Sequence, residues 1–360
     1  MPTPPVEVSW FCPLCDDDYE YLGVPDPALR SSYAHCRDVV LRAERGGFDN
    51  ILCPSGYGLG IDSVTFAGAV APLSERMRLL VAVRCGEMWP PQLARQIASL
   101  DQLLGGRLTV NIISSDLPGA PIDSEPRYQR TRECLRIVRD LLDGKPVTHR
   151  GEFYDLEIDP PGVGTISGRA PLLYFGGLSP AARKVAAEDA DVFLMWPEPL
   201  PDVERLLGDM RARATQAGRE LDFGYRVHVI VRETEGEARD AARQLVSRLD
   251  DGTGDAIRRR SLDHASVGVQ KQAEMRDSAD SDGYIEENLW TGIGRARSGC
   301  GAAIVGDPEQ VLAKLEAYAQ LGIRAFILSG YPHLGECDLF ARYVLPQLNH
   351  GPLRPYEETK

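Results

Sequence analysis

The segment RLLVAVRCGEMWPPQLARQIASLDQLLGGRLTVNIISS, residues 78–115, contains one complete copy of the unit that repeats along the chain. Its two ends, residues 78–84 and 108–114, are short apolar runs typical of buried strands, and residues 91–104 between them have the spacing of an amphipathic helix. The helix is expected to end at Gly105-Gly106, because glycine tolerates the positive φ of a helix C-cap. Uninterrupted apolar strands joined by a helix predict a parallel sheet covered by helices.

The same unit recurs along the whole chain. Strands are predicted at residues 7–13, 50–54, 78–84, 108–114, 172–176, 192–196, 224–231 and 325–329. Eight such steps in 360 residues predict a single-domain α/β protein, residues 1–360, with a (β/α)8 TIM barrel and insertions. An open doubly wound sheet is the competing architecture. The glycines of Gly56-Tyr57-Gly58-Leu59-Gly60 lack the spacing of a dinucleotide-binding fingerprint, so this segment is interpreted as a flexible loop.

Two segments interrupt the alternation of strands and helices. Residues 146–159 alternate polar and apolar side chains, which predicts a hairpin insertion. Residues 252–283 are poor in large apolar side chains and rich in Asp, Ser and Gly. A long, weakly apolar excursion of this kind predicts a mobile lid loop.

Composition excludes several classes of protein. Forty Lys and Arg against 53 Asp and Glu give a net charge of −13, which disfavours nucleic-acid binding. No apolar run approaches the roughly 18 residues of a membrane span, and residues 1–15 lack the pattern of a signal peptide, so a cytoplasmic location is expected. The eight cysteines are expected to be buried thiols, and the single C-x-x-C, Cys12 to Cys15, does not predict a metal site.

In a barrel, functional side chains lie at the carboxyl ends of the strands. These ends are rich in cations and hydrogen-bond donors and poor in carboxylates; they hold Trp10, Cys12, Cys15, Ser55, Arg84, Cys85, Asn111, Ser114, Gly176, Gly177, Leu178, Ser179, Trp196, Arg226, His228, Tyr331 and His333. We therefore expect neither a carboxylate pair for glycoside hydrolysis, nor a Ser-His-Asp triad, nor a metal cluster.

Arg226 and His228 are two residues apart on one predicted strand, so their side chains share a face. The pattern alone leaves two interpretations open: a buried functional face or a solvated outer one. Gly176 and Gly177, followed by Ser179 and a helical run, form a turn that could direct backbone N–H groups at a phosphate.

The order of motifs resembles that of the bacterial luciferase-like flavin monooxygenases, and among them the FMNH2-dependent alkanesulfonate monooxygenases. The matching segments span roughly residues 8–348: WF at 10–11, YLG at 21–23, VAVR at 81–84, LYFGG at 173–177, RVHVIVRET at 226–234, NLW at 288–290, AIVGD at 303–307 and LSGYPHL at 328–334.

This resemblance implies a TIM barrel that uses reduced FMN (FMNH2) from a separate NAD(P)H:flavin reductase, and O2 as co-substrate. A peroxyflavin would oxygenate a small anionic substrate, and an organosulfonate would yield sulfite and an aldehyde. The family also implies a homo-oligomer, a dimer or tetramer. Three alternatives remain: the same chemistry on a sulfone, amide or natural product, a deazaflavin-dependent dehydrogenase, and a flavin-binding protein without catalysis.

The resemblance also assigns roles to individual residues. The flavin-binding residues would be Asn111, Tyr128, Gly176, Gly177, Leu178 and Ser179. The catalytic residues would be Arg226, His228, Arg297, Tyr331 and Trp196, and the substrate pocket would include Trp10, Cys15, Leu59, Trp196 and His333. Cys15 and Leu59 stand where sulfonate-active members carry His and Cys, so the substrate is less well defined than the class of chemistry.

Overall fold

The structure, a computed structural model, describes residues 4–259 and 266–353. Its strands are β1 Glu7–Phe11, β2 Asn50–Cys53, β3 Arg78–Arg84, β4 Leu108–Ile113, β5 Val147–Arg150, β6 Asp155–Ile158, β7 Leu173–Phe175, β8 Val192–Met195, β9 Asp222–Val231, β10 Tyr284–Glu286, β11 Leu289–Trp290, β12 Ala303–Gly306 and β13 Ala325–Ser329. Its α-helices are α1 Tyr33–Gly46, α2 Ser63–Val70, α3 Pro90–Leu103, α4 Ser124–Leu142, α5 Pro180–Asp189, α6 Leu200–Gln216, α7 Glu235–Val246, α8 Asp251–Arg258, α9 Val267–Asp277, α10 Pro308–Leu321 and α11 His333–Tyr343.

Eight parallel strands close into a barrel in the order β1-β2-β3-β4-β7-β8-β9-β13. Closure is completed where β8 pairs with the first half of β9, from Val192 opposite Asp222 to Met195 opposite Tyr225, and where β13 pairs with β1. The predicted (β/α)8 TIM barrel is therefore confirmed, and the open-sheet alternative is wrong.

The barrel has two apolar layers because its strands are buried on both faces. On β1, Val8 and Trp10 point outward and pack under the helices, whereas Phe11 points inward with Leu52, Leu80 and other strand residues. Each such side chain contributes about 1.5–3 kcal/mol when fully buried. This double burial explains the uninterrupted apolar runs in the sequence.

A buried polar network closes the amino-terminal end of the barrel. Glu7 accepts hydrogen bonds from the Asn50 side chain at 3.1 Å and the Tyr174 hydroxyl at 2.8 Å. The backbone N–H of Leu353, near the end of the described chain, donates to the same carboxyl group at 3.0 Å. With this end filled, the opposite end of the barrel is where a small molecule can enter.

Local signals in the sequence fix the helix boundaries. A capping box opens α7, in which Thr234 and Glu237 each satisfy the other's backbone N–H, and Asp307 and Gln310 form another at α10. Helix α1 ends at Gly47, whose φ of 92° lies in the left-handed region that glycine tolerates.

Two additions extend the barrel. Strands β5 and β6 pair antiparallel, from Val147 opposite Ile158 to Arg150 opposite Asp155, as a two-stranded sheet beside the barrel. The second half of β9 continues past the barrel and pairs with β12, which carries β11 and β10 in antiparallel order. A second apolar core lies beneath this extension.

The segment 252–283, predicted as a mobile lid loop, contains most of α8 and all of α9. Two of its apolar side chains are buried: Ile257 packs in the second core and Met275 in the main one. Residues 260–265 of the segment lie outside the described residues. Its mobility stays a prediction.

All eight cysteines are free thiols; six are buried, and Cys15 and Cys300 are partly exposed. Within residues 4–259 and 266–353, no helix combines the length and apolar character that crossing a membrane requires.

Candidate active site

The carboxyl ends of β1, β9 and β13 meet at one side of the barrel mouth. Pairing of β9 with β13 places Arg226 opposite Ile327 and His228 opposite Ser329. Arg226 and His228 are 5% and 1% exposed, so the face they share is the buried one. Of the two interpretations that the sequence left open, the solvated outer face is wrong.

Arg226 is a buried cation held by neutral groups. Its Nη1 donates to the carbonyl oxygens of Val227 at 3.1 Å and Ile327 at 3.4 Å, and its guanidinium lies over the Phe11 ring at 4.3 Å. Burial lowers the pKa of Arg226. Among the described residues, no carboxylate forms an ion pair with it, so an anion is what this position lacks.

His228 lies between Ser329 and Tyr331. Its Nδ1 forms a hydrogen bond with the Ser329 hydroxyl at 2.7 Å, and its ring stacks on Tyr331 at 5.3 Å with 24° between the planes. Burial, and then the charges of Arg226 and Arg297, lower the pKa of His228 well below its ordinary value. His228 is therefore neutral at physiological pH. Burial raises the pKa of Tyr331, which stays protonated.

His333, on the far side of Tyr331, belongs to a buried cluster around Asp18. Its Nδ1 lies 2.8 Å from the Asp18 carboxylate, and its backbone N–H donates to both carboxylate oxygens at 3.1 and 3.0 Å. His35 reaches the same carboxylate with Nε2 at 3.0 Å. Burial opposes ionisation, but the charge and hydrogen bonds of His333 and His35 lower the pKa of Asp18 below its ordinary value. Asp18 is therefore a carboxylate.

Arg297 forms an ion pair with Asp16 at the edge of the same site. Burial acts against the charge, but Tyr331 and Asp16 raise the pKa of Arg297. Cys15 lies beside Arg297, and burial raises the pKa of its thiol. Like Cys15, Leu59 differs from the residue expected in sulfonate-active members of the family. It is partly exposed on the loop between β2 and α2.

Trp196, directly after β8, packs beneath α9. A methyl group added at Gly268 or at Gly299 would lie 2.8 Å from its ring, so the ring contacts the backbone of both segments. Gln272 of α9 donates to the Pro197 carbonyl at 2.8 Å and accepts from the Gly301 N–H at 3.1 Å. These contacts hold α9 against the barrel beside the site.

The predicted flavin-binding residues form a second group, on the β4–β7 side of the mouth. Asn111 lies on β4 in register with Tyr174 and is partly exposed. Ser179 caps α5 by accepting the Ala182 N–H at 3.2 Å, and Leu178 completes the turn before it.

Gly177 makes that turn a close-fitting cradle. Its φ is 151°, and a Cβ there would lie 2.6 Å from Ala182 and 3.3 Å from the Tyr128 hydroxyl. At Gly176 a Cβ would lie 2.3 Å from the Leu194 carbonyl oxygen. The missing side chains leave backbone exposed at a helix N-terminus, which is suited to a phosphate group.

One predicted pocket residue lies elsewhere. Trp10 is fully buried against Phe48 and Phe340, with ring centroids 5.2 and 6.4 Å away, between the barrel and its helices. Assigning it to the substrate pocket is wrong. Its neighbour Phe11 takes the inward position, because successive side chains of a strand point to opposite faces.

The expectation of a mouth poor in carboxylates is also wrong. Asp16 and Asp18 follow β1 and pair with Arg297 and His333, and sequence reasoning missed both, along with Phe11 and Ser329. The run Asp16-Asp17-Asp18 just after the first strand was the available signal. Only the fold shows which cations it meets.

The parallel barrel thus holds at its mouth a buried arginine, without an ion-pair partner in the described part of the chain, next to a neutral histidine. A model of the luciferase-like monooxygenase family matches residues 6–325. The chain belongs to this family and is a flavin-dependent monooxygenase.

Two curated relatives cover nearly the whole chain. The sulfoquinovose monooxygenase of Novosphingobium aromaticivorans is 63% identical over 354 residues, 96% of this chain and 98% of the relative. The sulfoquinovose monooxygenase of Agrobacterium fabrum is 53% identical over 348 residues, 95% and 89% of the two chains. Among solved structures, riboflavin lyase with modified FMN superposes with a TM-score of 0.78 at 16% identity, covering 98% of this chain and 94% of its own. At that identity the likeness concerns the fold alone.

Proposed function

We propose that the protein is the oxygenase component of a two-component, FMNH2-dependent system that releases sulfite from an organosulfonate, and that its substrate is sulfoquinovose, a sugar sulfonate. A separate NAD(P)H:flavin reductase supplies the reduced flavin. Two relatives above 50% identity carry the name of this activity. The observation that carries the proposal from the structure is the buried Arg226.

Arg226 needs an anion for a physical reason. A guanidinium that is 5% exposed has lost most of its hydration, and backbone carbonyls and an aromatic face replace only part of it. A sulfonate carries one negative charge and three acceptor oxygens, so it can neutralise the cation and accept its N–H groups. Arg297 and the neutral His228 line the same region and supply further donors.

The residues on the β4–β7 side suit a flavin. The flavin phosphate would bind at the start of α5, at the turn formed by Gly176, Gly177, Leu178 and Ser179. The Tyr128 hydroxyl lies next to Gly177 of this turn. Asn111, on the inward face of β4, would contact the ring system. When bound, reduced flavin supplies the electrons that activate dioxygen for transfer to the substrate.

Trp196 and α9 would exclude water from the site. Activated oxygen is lost as peroxide when water reaches it before the substrate does. Gln272 fastens α9 to the segment after β8 and to Gly301, and the Trp196 ring fills the space beneath. This packing would separate the site from solvent during turnover.

The deciding experiment measures sulfite release from sulfoquinovose with FMN, a flavin reductase, NADH and oxygen. Glucose is the matched control, since it has the sugar without the sulfonate, and short alkanesulfonates test the selectivity for the sugar. Sulfite from sulfoquinovose, absent when the reductase or oxygen is omitted, is the expected result. Absence of sulfite from every sulfonate, or tight binding of a deazaflavin in place of FMN, would overturn the proposal.

A further inference from the structure

We propose that His333 is the residue that accepts the substrate's proton when the carbon–sulfur bond breaks, and that Asp18 is the positioning residue that orients it. This inference rests on the proposed sulfonate chemistry. It concerns the buried cluster formed by Asp18, His35 and His333.

The geometry fixes which nitrogen of His333 is free. Asp18 is a carboxylate and can only accept, so the ring nitrogen 2.8 Å away, Nδ1, carries the hydrogen. In the neutral form of the ring, Nε2 is then the basic nitrogen. It is buried, and among the described residues it has no hydrogen-bond partner. The ring lies between Tyr331 at 5.0 Å and Phe11 at 5.8 Å, both of which line the site.

Asp18 is held rigidly in the position this role requires. It accepts from the backbone N–H of His333 at the start of α11, from Nε2 of His35, and from the N–H of Tyr19 at 2.8 Å. The positive end of the helix dipole also favours the carboxylate here. A carboxylate so placed fixes the histidine tautomer and stabilises the imidazolium that forms when Nε2 gains a proton.

The neighbouring groups are poorly suited to accept that proton. Arg226 and Arg297 stay protonated, and Tyr331 keeps its proton because burial raises its pKa. His228 is paired with the Ser329 hydroxyl rather than with a carboxylate, and the nearby arginines oppose its charging. His333 differs from His228 in having Asp18.

Monooxygenation with reduced flavin and one O2 would leave a hydroxyl on the carbon that bears the sulfonate and release the second oxygen atom as water. The hydroxyl proton then moves to Nε2 of His333, the O–H electron pair becomes the second C=O bond, and the C–S pair leaves with sulfur as sulfite. The net change converts R–CH2–SO3⁻, O2 and reduced flavin into R–CHO, sulfite, oxidised flavin, water and one proton.

The breaking of the C–S bond can be tested without flavin or oxygen. An aldehyde–bisulfite adduct carries a hydroxyl and a sulfonate on one carbon, as the oxygenated substrate does. We expect the protein to accelerate sulfite release from the adduct of glycolaldehyde, measured with a thiol-reactive dye. His333→Ala should reduce the acceleration by about 10² or more, the size of a general-base contribution, and added imidazole should restore part of it. Asp18→Asn should reduce it as well, by no more than His333→Ala does, because asparagine no longer fixes the tautomer that leaves Nε2 free.

A conservative variant separates orientation from packing. Asp18→Glu keeps the carboxylate that accepts from Nδ1 of His333, so it should restore part of the acceleration that Asp18→Asn loses. A change in packing alone would lower the rate in Asp18→Glu at least as much as in Asp18→Asn.

The chain offers a matched control in His350, whose Nδ1 lies 3.0 Å from Asp49 at the opposite end of the barrel. His350→Ala should leave the acceleration unchanged, and thermal unfolding verifies that each variant folds. If Asp18→Asn does not fold, imidazole rescue of His333→Ala decides. Full acceleration in His333→Ala, or none in the parent protein, overturns the assignment of His333. Flavin-dependent sulfite release by the parent protein is measured separately, so the proposed function is tested whatever the adduct assay shows.

Discussion

Replacing Asp16 by Asn tests whether the Asp16 carboxylate competes with an anionic substrate for Arg297. In the structure Arg297 pairs with Asp16. The Tyr19 hydroxyl and the backbone N–H of Asp17 also donate to this carboxyl group, at 3.3 and 2.9 Å. Asparagine keeps the size and one acceptor oxygen but removes the charge. Arg297 is then left without its counterion until an anionic substrate arrives.

The cost follows from the burial of the pair. The Arg297 and Asp16 side chains are 19% and 8% exposed, so the pair is largely desolvated. Removing one partner of a buried pair costs about 3–5 kcal/mol, and we take about 3 because part of Arg297 still meets water. Unfolding entropy near 2.1 cal/mol/K per residue gives about 0.8 kcal/mol per degree for 360 residues. The melting temperature should therefore fall by about 4 °C.

Thermal unfolding with and without methanesulfonate measures both effects. We expect the anion to stabilise Asp16→Asn more than the parent, and the KM for the sulfonate substrate to fall, because the competing carboxylate is gone. Asp155→Asn is the control, since it breaks an exposed pair with Arg150 and should cost less than about 1 kcal/mol. If Asp16→Asn is destabilised but methanesulfonate does not raise its melting temperature more than that of the parent, the reasoning is refuted. The ion pair would then only stabilise the fold.

Three further predictions concern the same end of the barrel. Gly177→Ala should weaken flavin binding in an anaerobic fluorescence titration, because its Cβ would meet Ala182 at 2.6 Å; Gly58→Ala, with nothing within 4 Å, should not. Arg226→Ala should lower sulfite release by about 10² or more while flavin affinity changes little, since one charge-stabilising donor is lost; equal losses in both would contradict this. The hydrogen bond with Asp18 raises the pKa of His35, so its contribution to stability is present below about pH 6.5 and declines as pH rises through the folded-state pKa. Unfolding by denaturant at several pH values should show this decline in the parent and not in His35→Gln.

The barrel was predictable from the sequence because its physical cause is local. Residues 78–84 and 325–329 are buried on both faces, so each appears as an uninterrupted apolar run, and helices such as α7 and α10 begin at capping residues. The placement of Arg226 and His228 on one face follows from the period of a strand. These properties need no knowledge of the rest of the chain.

What could not be predicted depends on contacts between distant segments. All five residues of β1 are buried, so no alternation of polar and apolar residues shows that Phe11 rather than Trp10 points inward. Asp18 and His333 are 315 residues apart, and Asp16 and Arg297 are 281 apart. An acidic run near the amino terminus looks like solvated surface until the closed barrel places it beside Arg297 and His333.

The charges at the mouth indicate what its ligand must supply. Two of the positively chargeable groups have internal partners, since Arg297 pairs with Asp16 and His333 with Asp18. Within the described ranges Arg226 has only carbonyl oxygens and the Phe11 ring, and its lowered pKa reflects the cost of that burial. An anion bound there removes the cost, whereas an uncharged analogue of the same shape leaves it in place. We therefore propose that charge, before shape, selects the ligand at this end of the barrel.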